Sequence, residues 1–211
     1  MLTSRLIPVL KPFISGGGPI EPSEPIEYAV IDFKNNGGES KNNVFWTRGA
    51  DHYPTGAPYG IGDTNLSRYP PVGSYFFLGF YSILGVQYQD IVLATQTSVP
   101  LANIDAGLAT FKLSWWAGTI RPSGATKWDS SEMRAYFYDG SGVLLGYEST
   151  GLRVATTVVG GNYAWDHQTD EWSMPVGTRI VRVEMRLHRL HGTFNDAAVD
   201  EIIPTVVVYP V

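Results

Sequence analysis

The sequence predicts an all-β protein built as an antiparallel β-sandwich, and three observations predict it. From Arg179 to His188 apolar and polar residues alternate strictly, with Val181, Val183, Met185 and Leu187 on one side and Arg182, Glu184, Arg186 and His188 on the other. That is the period of a half-buried strand, whereas a helix would scatter the apolar residues around its circumference. Helical periodicity nowhere persists beyond about one turn, and no repeat at a solenoid or propeller spacing is present. The third observation is composition: 23 Gly, 14 Pro, 13% aromatic and only 17% charged residues suit a turn-rich β protein with tyrosines and tryptophans on its surface.

At 211 residues the chain is long enough for one sizeable domain with its own core. It has no Cys, which rules out a disulfide framework and a thiolate metal site. A formal net charge of −5 argues against generic nucleic-acid or anionic-membrane binding, both of which need basic patches. No apolar run approaches the roughly 20 residues of a membrane helix, so no membrane insertion is expected. The opening MLTSRLIPVLKPFISGGGP places Arg5 before LIPVL, but Pro8, Lys11 and Pro12 interrupt the apolar stretch, and a retained terminus rather than a signal peptide is expected.

In chain order, residues 1–25 read as an extended arm. Pro8, Pro12, Pro19, Pro22 and Pro25 forbid a continuous helix or a central strand, and Gly16 to Gly18 form a hinge. Leu6, Ile7, Val9, Leu10, Phe13 and Ile14 are too apolar for a solvated linker and suit docking on a partner subunit. The domain proper, 26–211, opens with IEYAVIDF, apolar on both faces like an inner strand. Lys34 to Asn43 is a polar loop, Val44 to Trp46 resumes the sheet, and Arg48 to Pro71 is a long Gly-, Pro- and Tyr-rich excursion of the kind that serves binding. Strands are expected over Ser74–Tyr81, Val86–Ala94, Gly107–Trp116, Glu132–Tyr138 and Val143–Glu148, the last two joined by a tight DGSG hairpin. Thr119–Ser130 and Val159–Asp170 read as loops bearing tryptophans. After the Arg179–His188 strand, Gly192 to Asp196 supply turn chemistry, and Ala197–Val208 closes the chain as a strand.

The motifs Pro175-Val176-Gly177-Thr178-Arg179, then Asn195, Asp196, Asp200 and Ile202, preceded in order by NNGGES with Trp46, SYFFLGF, QYQDI and LATFKLSWW, carry a family resemblance. Together they resemble the galactose-binding-domain-like β-jelly rolls, which include many carbohydrate-binding modules and discoidin-like domains. The resemblance spans roughly Glu27 to Val208. It departs from the pattern at Gly38, where the family carries an aromatic before its glutamate. It implies a jelly-roll sandwich, and it implies a structural calcium held by Glu39 and Asp200 with Asp196 nearby, a site of carboxylates and carbonyls.

If Phe111, Leu113 and Trp115 point inward, Lys112, Ser114 and Trp116 point out; Met133, Ala135 and Phe137 inward likewise leave Arg134, Tyr136 and Tyr138 outside. Were these strands and the Arg182, Glu184, Arg186 and His188 row to share one sheet, its outer face would combine flat rings with hydrogen-bonding charges. Sugars are bound that way, the CH face of the ring on an aromatic and the hydroxyls on carboxylate or guanidinium. The bland counterpart is a solvated face with cross-strand pairs such as Arg134 with Glu184. Trp128 and Trp165, with Trp172, Tyr53, Tyr59 and Tyr163, form a second set on or beside loops that one rim of a sandwich would gather, while Trp46 and Trp115 read as core. WDHQTDEW places Asp166, His167, Asp170 and Glu171 close together, and Asp129 with Glu132 is another acidic pair, but no nucleophile elbow, phosphate loop or zinc signature accompanies them, and no catalytic residue is assigned.

The expectation is a non-enzymatic structural protein of a bacteriophage virion, a decoration, collar, fibre or tail component assembled in the host cytoplasm. The arm would join other subunits, and the jelly roll would face host-surface glycans. The alternatives are a free extracellular bacterial glycan-binding protein and a small glycosidase. No cofactor is expected apart from the calcium that the resemblance implies.

Overall fold

The computed structural model describes residues 24–34, 46–48, 60–61, 77–80, 83–120, 128–160, 163–192 and 195–210. The arm residues Leu6, Ile7, Val9, Leu10, Phe13 and Ile14, the metal candidate Glu39, and most of the 48–71 excursion lie outside these. In chain order the elements are β1 (Ile26–Ala29), β2 (Thr47–Arg48), β3 (Gly60–Ile61), β4 (Phe77–Phe80), β5 (Leu84–Val92), α1 (Leu93–Gln96), α2 (Leu101–Asp105), β6 (Ala109–Ile120), β7 (Ser130–Tyr138), β8 (Leu144–Ser149), β9 (Val158–Gly160), β10 (Tyr163–Ser173), β11 (Ile180–His188) and β12 (Asn195–Val208).

The strands form two antiparallel sheets. One is seven-stranded, ordered β3-β4-β12-β6-β10-β9 with β1 also on β12; the other is five-stranded, ordered β2-β5-β11-β7-β8. From β5 onward the chain passes between the sheets at nearly every connection, with β7–β8 and β9–β10 as the only hairpins among the described residues of that stretch. This alternation is the jelly-roll sandwich.

Strand alternation dictates the core. Phe111, Leu113, Trp115 and Ala117 of β6 meet Met133, Ala135 and Phe137 of β7 and Val181, Val183, Met185 and Leu187 of β11, with Val199, Ile202, Val206 and Val208 of β12 completing one cluster. Each large apolar side chain taken fully from water contributes roughly 2 kcal/mol. Trp46 and Trp115 belong to this core, as the sequence predicts. Phe33, Trp46 and Phe77 pack edge to face, with ring centroids 5.6 and 5.3 Å apart.

Three corrections concern elements. Residues 163–170, expected within a loop, lie in the eleven-residue β10, hydrogen-bonded along its whole length to β6. Ala94, expected in a strand, falls in the single-turn α1, because β5 starts and stops two residues earlier than the pattern suggests. β6 also runs on to Ile120, which shortens the loop expected from Thr119.

The motifs that carry the family resemblance hold the ends of β11. In Pro175–Thr178 the Thr178 N–H and hydroxyl both donate to the Pro175 carbonyl, at 3.2 and 2.6 Å. Gly177 sits at φ 84°, where any Cβ would be strained. Arg179 Nη2 then donates to both carboxylate oxygens of Asp105 of α2, at 2.9 and 2.8 Å. At the other end the buried Asn195 donates to the Leu187 carbonyl at 2.7 Å and accepts from the Ala197 N–H at 3.2 Å. Asp129, also buried, accepts from the backbone N–H groups of Leu190, His191 and Asp196 at 2.6, 3.1 and 2.7 Å, clasping the β11–β12 connection. Burial and the nearby Asp129 charge push the Asp196 carboxyl pKa up.

Candidate functional site

Residues directly opposite in an antiparallel ladder project to the same side, so the registers define what each sheet shows to solvent. On the five-stranded sheet Arg182 stands between Asp90 and Tyr136, Glu184 between Tyr88 and Arg134, and Arg186 between Val86 and Glu132. On β8, Tyr147 lies opposite Tyr136 and Ser149 opposite Arg134. Arg134, Tyr136, Tyr138, Arg182, Glu184 and Arg186, six of the residues that the sequence singles out, therefore share one outer face.

They are tied into a lattice. Arg182 bonds Asp90 through two nitrogens at 2.7 and 3.0 Å, and its guanidinium carbon lies 3.8 Å from the Tyr88 ring centroid and 5.4 Å from that of Tyr138. Glu184, only 8% exposed, accepts from the Tyr136 hydroxyl at 3.1 Å and from Arg186 Nε at 2.7 Å. Glu132 accepts from Arg134 Nε at 2.7 Å and the Ser149 hydroxyl at 2.6 Å, and meets His188 Nε2 at 3.0 Å. The expected Arg134–Glu184 pair is adjacent in register, but Arg134 takes Glu132, two residues along its own strand, as its ionic partner. The Tyr136 and Tyr147 rings stack with centroids 5.5 Å apart and planes 26° apart.

Electrostatics follow from these partners. The bond to Asp90 raises the Arg182 pKa against the opposing effect of burial. Burial works against the charged form of Glu132, yet the bonds from Arg134, Ser149 and His188 outweigh it and lower its pKa. Burial lowers the His188 pKa against the pull of Glu132. The His188–Glu132 contact at neutral pH is therefore a hydrogen bond donated by a neutral imidazole rather than an ion pair. Three guanidiniums, those of Arg134, Arg182 and Arg186, meet three carboxylates, those of Asp90, Glu132 and Glu184, so the face carries fixed dipoles and little net charge.

Trp116 does not belong to this face, which corrects the supposition of one shared sheet. β6 lies in the seven-stranded sheet, so Trp116 points outward on the opposite side of the sandwich. There its indole N–H donates to Glu201 Oε2 at 3.2 Å, and its ring meets His167 edge-on with centroids 5.0 Å apart. Glu201 is held at φ 42° in the bulge of β12 between Asp200 and Ile203. Trp165 is corrected too: it lies on β10 and is 2% exposed, its ring lying over Gly118, where an added Cβ would collide with it. Trp128 precedes β7 and is half-buried.

The acids of WDHQTDEW hold structure. Asp166 caps the backbone of Thr156 and Thr157, Asp170 pairs with Arg153, and Glu171 accepts from Thr110 and Tyr209. Asp200 is fully buried beside Trp116 and accepts the Glu201 N–H at 2.8 Å. Among the described residues no three His, Asp or Glu side chains gather as a metal site, and Glu39, the other carboxylate of the calcium site that the resemblance implies, lies outside them.

The face also holds Tyr88, Asp90, Glu132, Tyr147 and Ser149, which sequence reasoning does not single out for binding. The alternation of QYQD, with Tyr88 and Asp90 on one side and Gln87 and Gln89 on the other, is the signal that places two of them. Nothing in the sequence marks Tyr147, which owes its place to the β7–β8 register.

No family model matches the sequence, and no curated protein matches it either. Among solved structures, the chain is similar to the enzymatically active domain of tailspike protein 4 of bacteriophage CBA120, with 15% identity and a TM-score of 0.48 over 83% of this chain. It spans 21% of that tailspike chain. It is also similar to the C-terminal family 22 carbohydrate-binding module from Clostridium thermocellum, with 19% identity over 79% of this chain and 89% of that one and a TM-score of 0.44. The xylan-binding domain from Paenibacillus barcinonensis is 12% identical over 83% of this chain and 94% of that one, with a TM-score of 0.44. By its own sheet topology the chain is an all-β jelly roll.

Proposed function

We propose that this protein is a non-enzymatic glycan-binding jelly roll whose ligand lies across the outer face of the five-stranded sheet, and that it serves as an attachment component of a bacteriophage particle. One observation carries the binding reading: four tyrosines, three arginines and three carboxylates interlock on that face, while Tyr147 stacks on Tyr136 and remains 58% exposed. An aromatic ring braced from behind offers its free side to the CH face of a sugar, and carboxylate–guanidinium pairs accept and donate to vicinal hydroxyls. Because the charges cancel locally, the face suits a neutral, hydroxyl-rich ligand better than a polyanion. The virion role is supported by the apolar, proline-punctuated residues 1–25, which suit docking on another subunit. A free glycan-binding protein would use the same face. The non-catalytic reading is supported by the engagement of Asp129, Glu132, Asp166, Asp170 and Glu171 in structural hydrogen bonds.

The test is a glycan array probed with the full chain. Tyr147→Ala and Arg182→Ala should each weaken binding to a retained neutral glycan by about ten-fold or more, the scale of losing a central contact. Trp116→Ala, on the opposite sheet, should leave it intact. Absence of binding to any glycan, or loss with Trp116→Ala alone, overturns the proposal.

A further inference from the structure

β8 is an edge of the five-stranded sheet: among the described residues it pairs with β7 and with nothing on its other side. Its hydrogen-bonding parity follows from one bond. The Thr150 N–H donates to the Met133 carbonyl at 3.0 Å, which makes 150/133 a bonded pair in the register Ser149↔Arg134. Bonded pairs alternate, so Glu148 and Gly146 bond inward to β7, while Tyr147 and Ser149 turn their backbone N–H and C=O groups toward the open side. The side chains along this edge are apolar: Val143, Leu144, Leu145, Tyr147 and Leu152 are all exposed. Edge strands are normally blunted by charge, proline or brevity. β8 has six residues, no proline and the single charge Glu148, and its one irregularity is the register shift near Leu144. β9, the edge strand that follows it in the chain, has only three residues.

We infer that β8 is a homodimer interface, in which the β8 strands of two copies pair antiparallel across a two-fold axis at Tyr147 and extend the five-stranded sheets into one. Charge disfavours one of the two neighbouring registers. With Tyr147 opposite its own copy, Tyr147 N–H and C=O exchange bonds with the partner copy, Ser149 falls opposite Leu145, and Glu148 falls opposite Gly146. The neighbouring register, with Tyr147 opposite Ser149, sets the two Glu148 carboxylates against each other. A second copy is the occupant because the edge is self-complementary in the isologous sense: open donors and acceptors meet their own kind, apolar side chains meet apolar side chains, and the lone charge avoids itself. Pairing sets each Tyr147 ring against that of the other copy, on the side that Tyr136 leaves open, so the dimer and a sugar stacked on Tyr147 exclude one another. The dimer does not depend on the glycan reading, which is scored by a different measurement.

Sedimentation equilibrium of the full chain should give twice the chain mass, and Leu144→Lys should return it to a monomer with unchanged circular dichroism and a melting temperature that, unlike that of the native chain, does not rise with protein concentration. Because the chain has no Cys, single substitutions report the register: the oxidised Tyr147→Cys variant should migrate as a covalent dimer, whereas Glu148→Cys, beyond disulfide reach of its own copy in this register, should not. A monomer at every concentration, a dimer insensitive to Leu144→Lys, or crosslinking of the Glu148→Cys variant in place of the Tyr147→Cys variant overturns the assignment.

Discussion

Gly118 shows how a single atom decides the outer surface of the seven-stranded sheet. Trp165, Leu78 and Ala198 form a small cluster on that face, with Trp116 and Tyr163 against it, and the Trp165 ring occupies the space a side chain at 118 would need. Gly118→Ala should therefore cost about 1–3 kcal/mol, the usual range for forcing carbon into a filled site. Gly146→Ala, whose methyl would meet only the Pro175 ring at 3.5 Å, should be close to neutral; urea unfolding of both variants checks this, and equal stabilities would show that Trp165 moves freely. Sequence alone does not reveal this packing. It groups Trp165 with the loop tryptophans, because nothing in GGNYAWDHQ announces that the neighbour across the ladder lacks a Cβ. Asp129 is equally opaque: the sequence shows it as half of an acidic pair, while its work as acceptor for three backbone N–H groups depends on a connection 61 to 67 residues downstream.

Among the elements, β11 is legible because one face is buried in the core and the other is polar, and β10 is not because neither of its faces is plainly apolar. Asp166, Gln168 and Asp170 of β10 point to the core side at its rim, where the segment 153–157 satisfies the two carboxylates, so the usual hydrophobic alternation is missing. The polar side of β11 also carries a pH dependence. Burial keeps His188 below its ordinary value of 6.5, so the unfolded chain takes up this proton more readily than the folded one. The corresponding stability is present above pH 6.5 and is lost as pH falls through the folded value. Glu132, lowered from 4.5, adds a second loss that begins only below that pH. Urea midpoints measured between about pH 8 and 5 should therefore fall for the native chain as pH drops below about 6.5. His188→Gln should flatten that part of the profile while leaving the steeper decline at lower pH; an unchanged profile would place the titration elsewhere.

At the scale of the whole molecule, alternation tells which side chains leave each strand but not which sheet each strand joins, because partition depends on connections that cross the sandwich. That is why the sequence groups Trp116 with Arg134 and Arg182 although the core lies between them. Two packed sheets stand about 10 Å apart, far enough for their outer faces to act independently. The effects of Trp116→Ala and Arg182→Ala on unfolding free energy should accordingly add to within about 0.5 kcal/mol. Tyr136→Phe and Arg186→Ala converge on the same Glu184 oxygen, so their double variant should depart from additivity by about 0.5 kcal/mol or more, as partners in one network do. The cycles also bear on the binding face. If Trp116 and Arg182 were coupled as strongly as Tyr136 and Arg186, the separation of the two faces would be wrong, and with it the use of Trp116→Ala as a silent control for ligand binding.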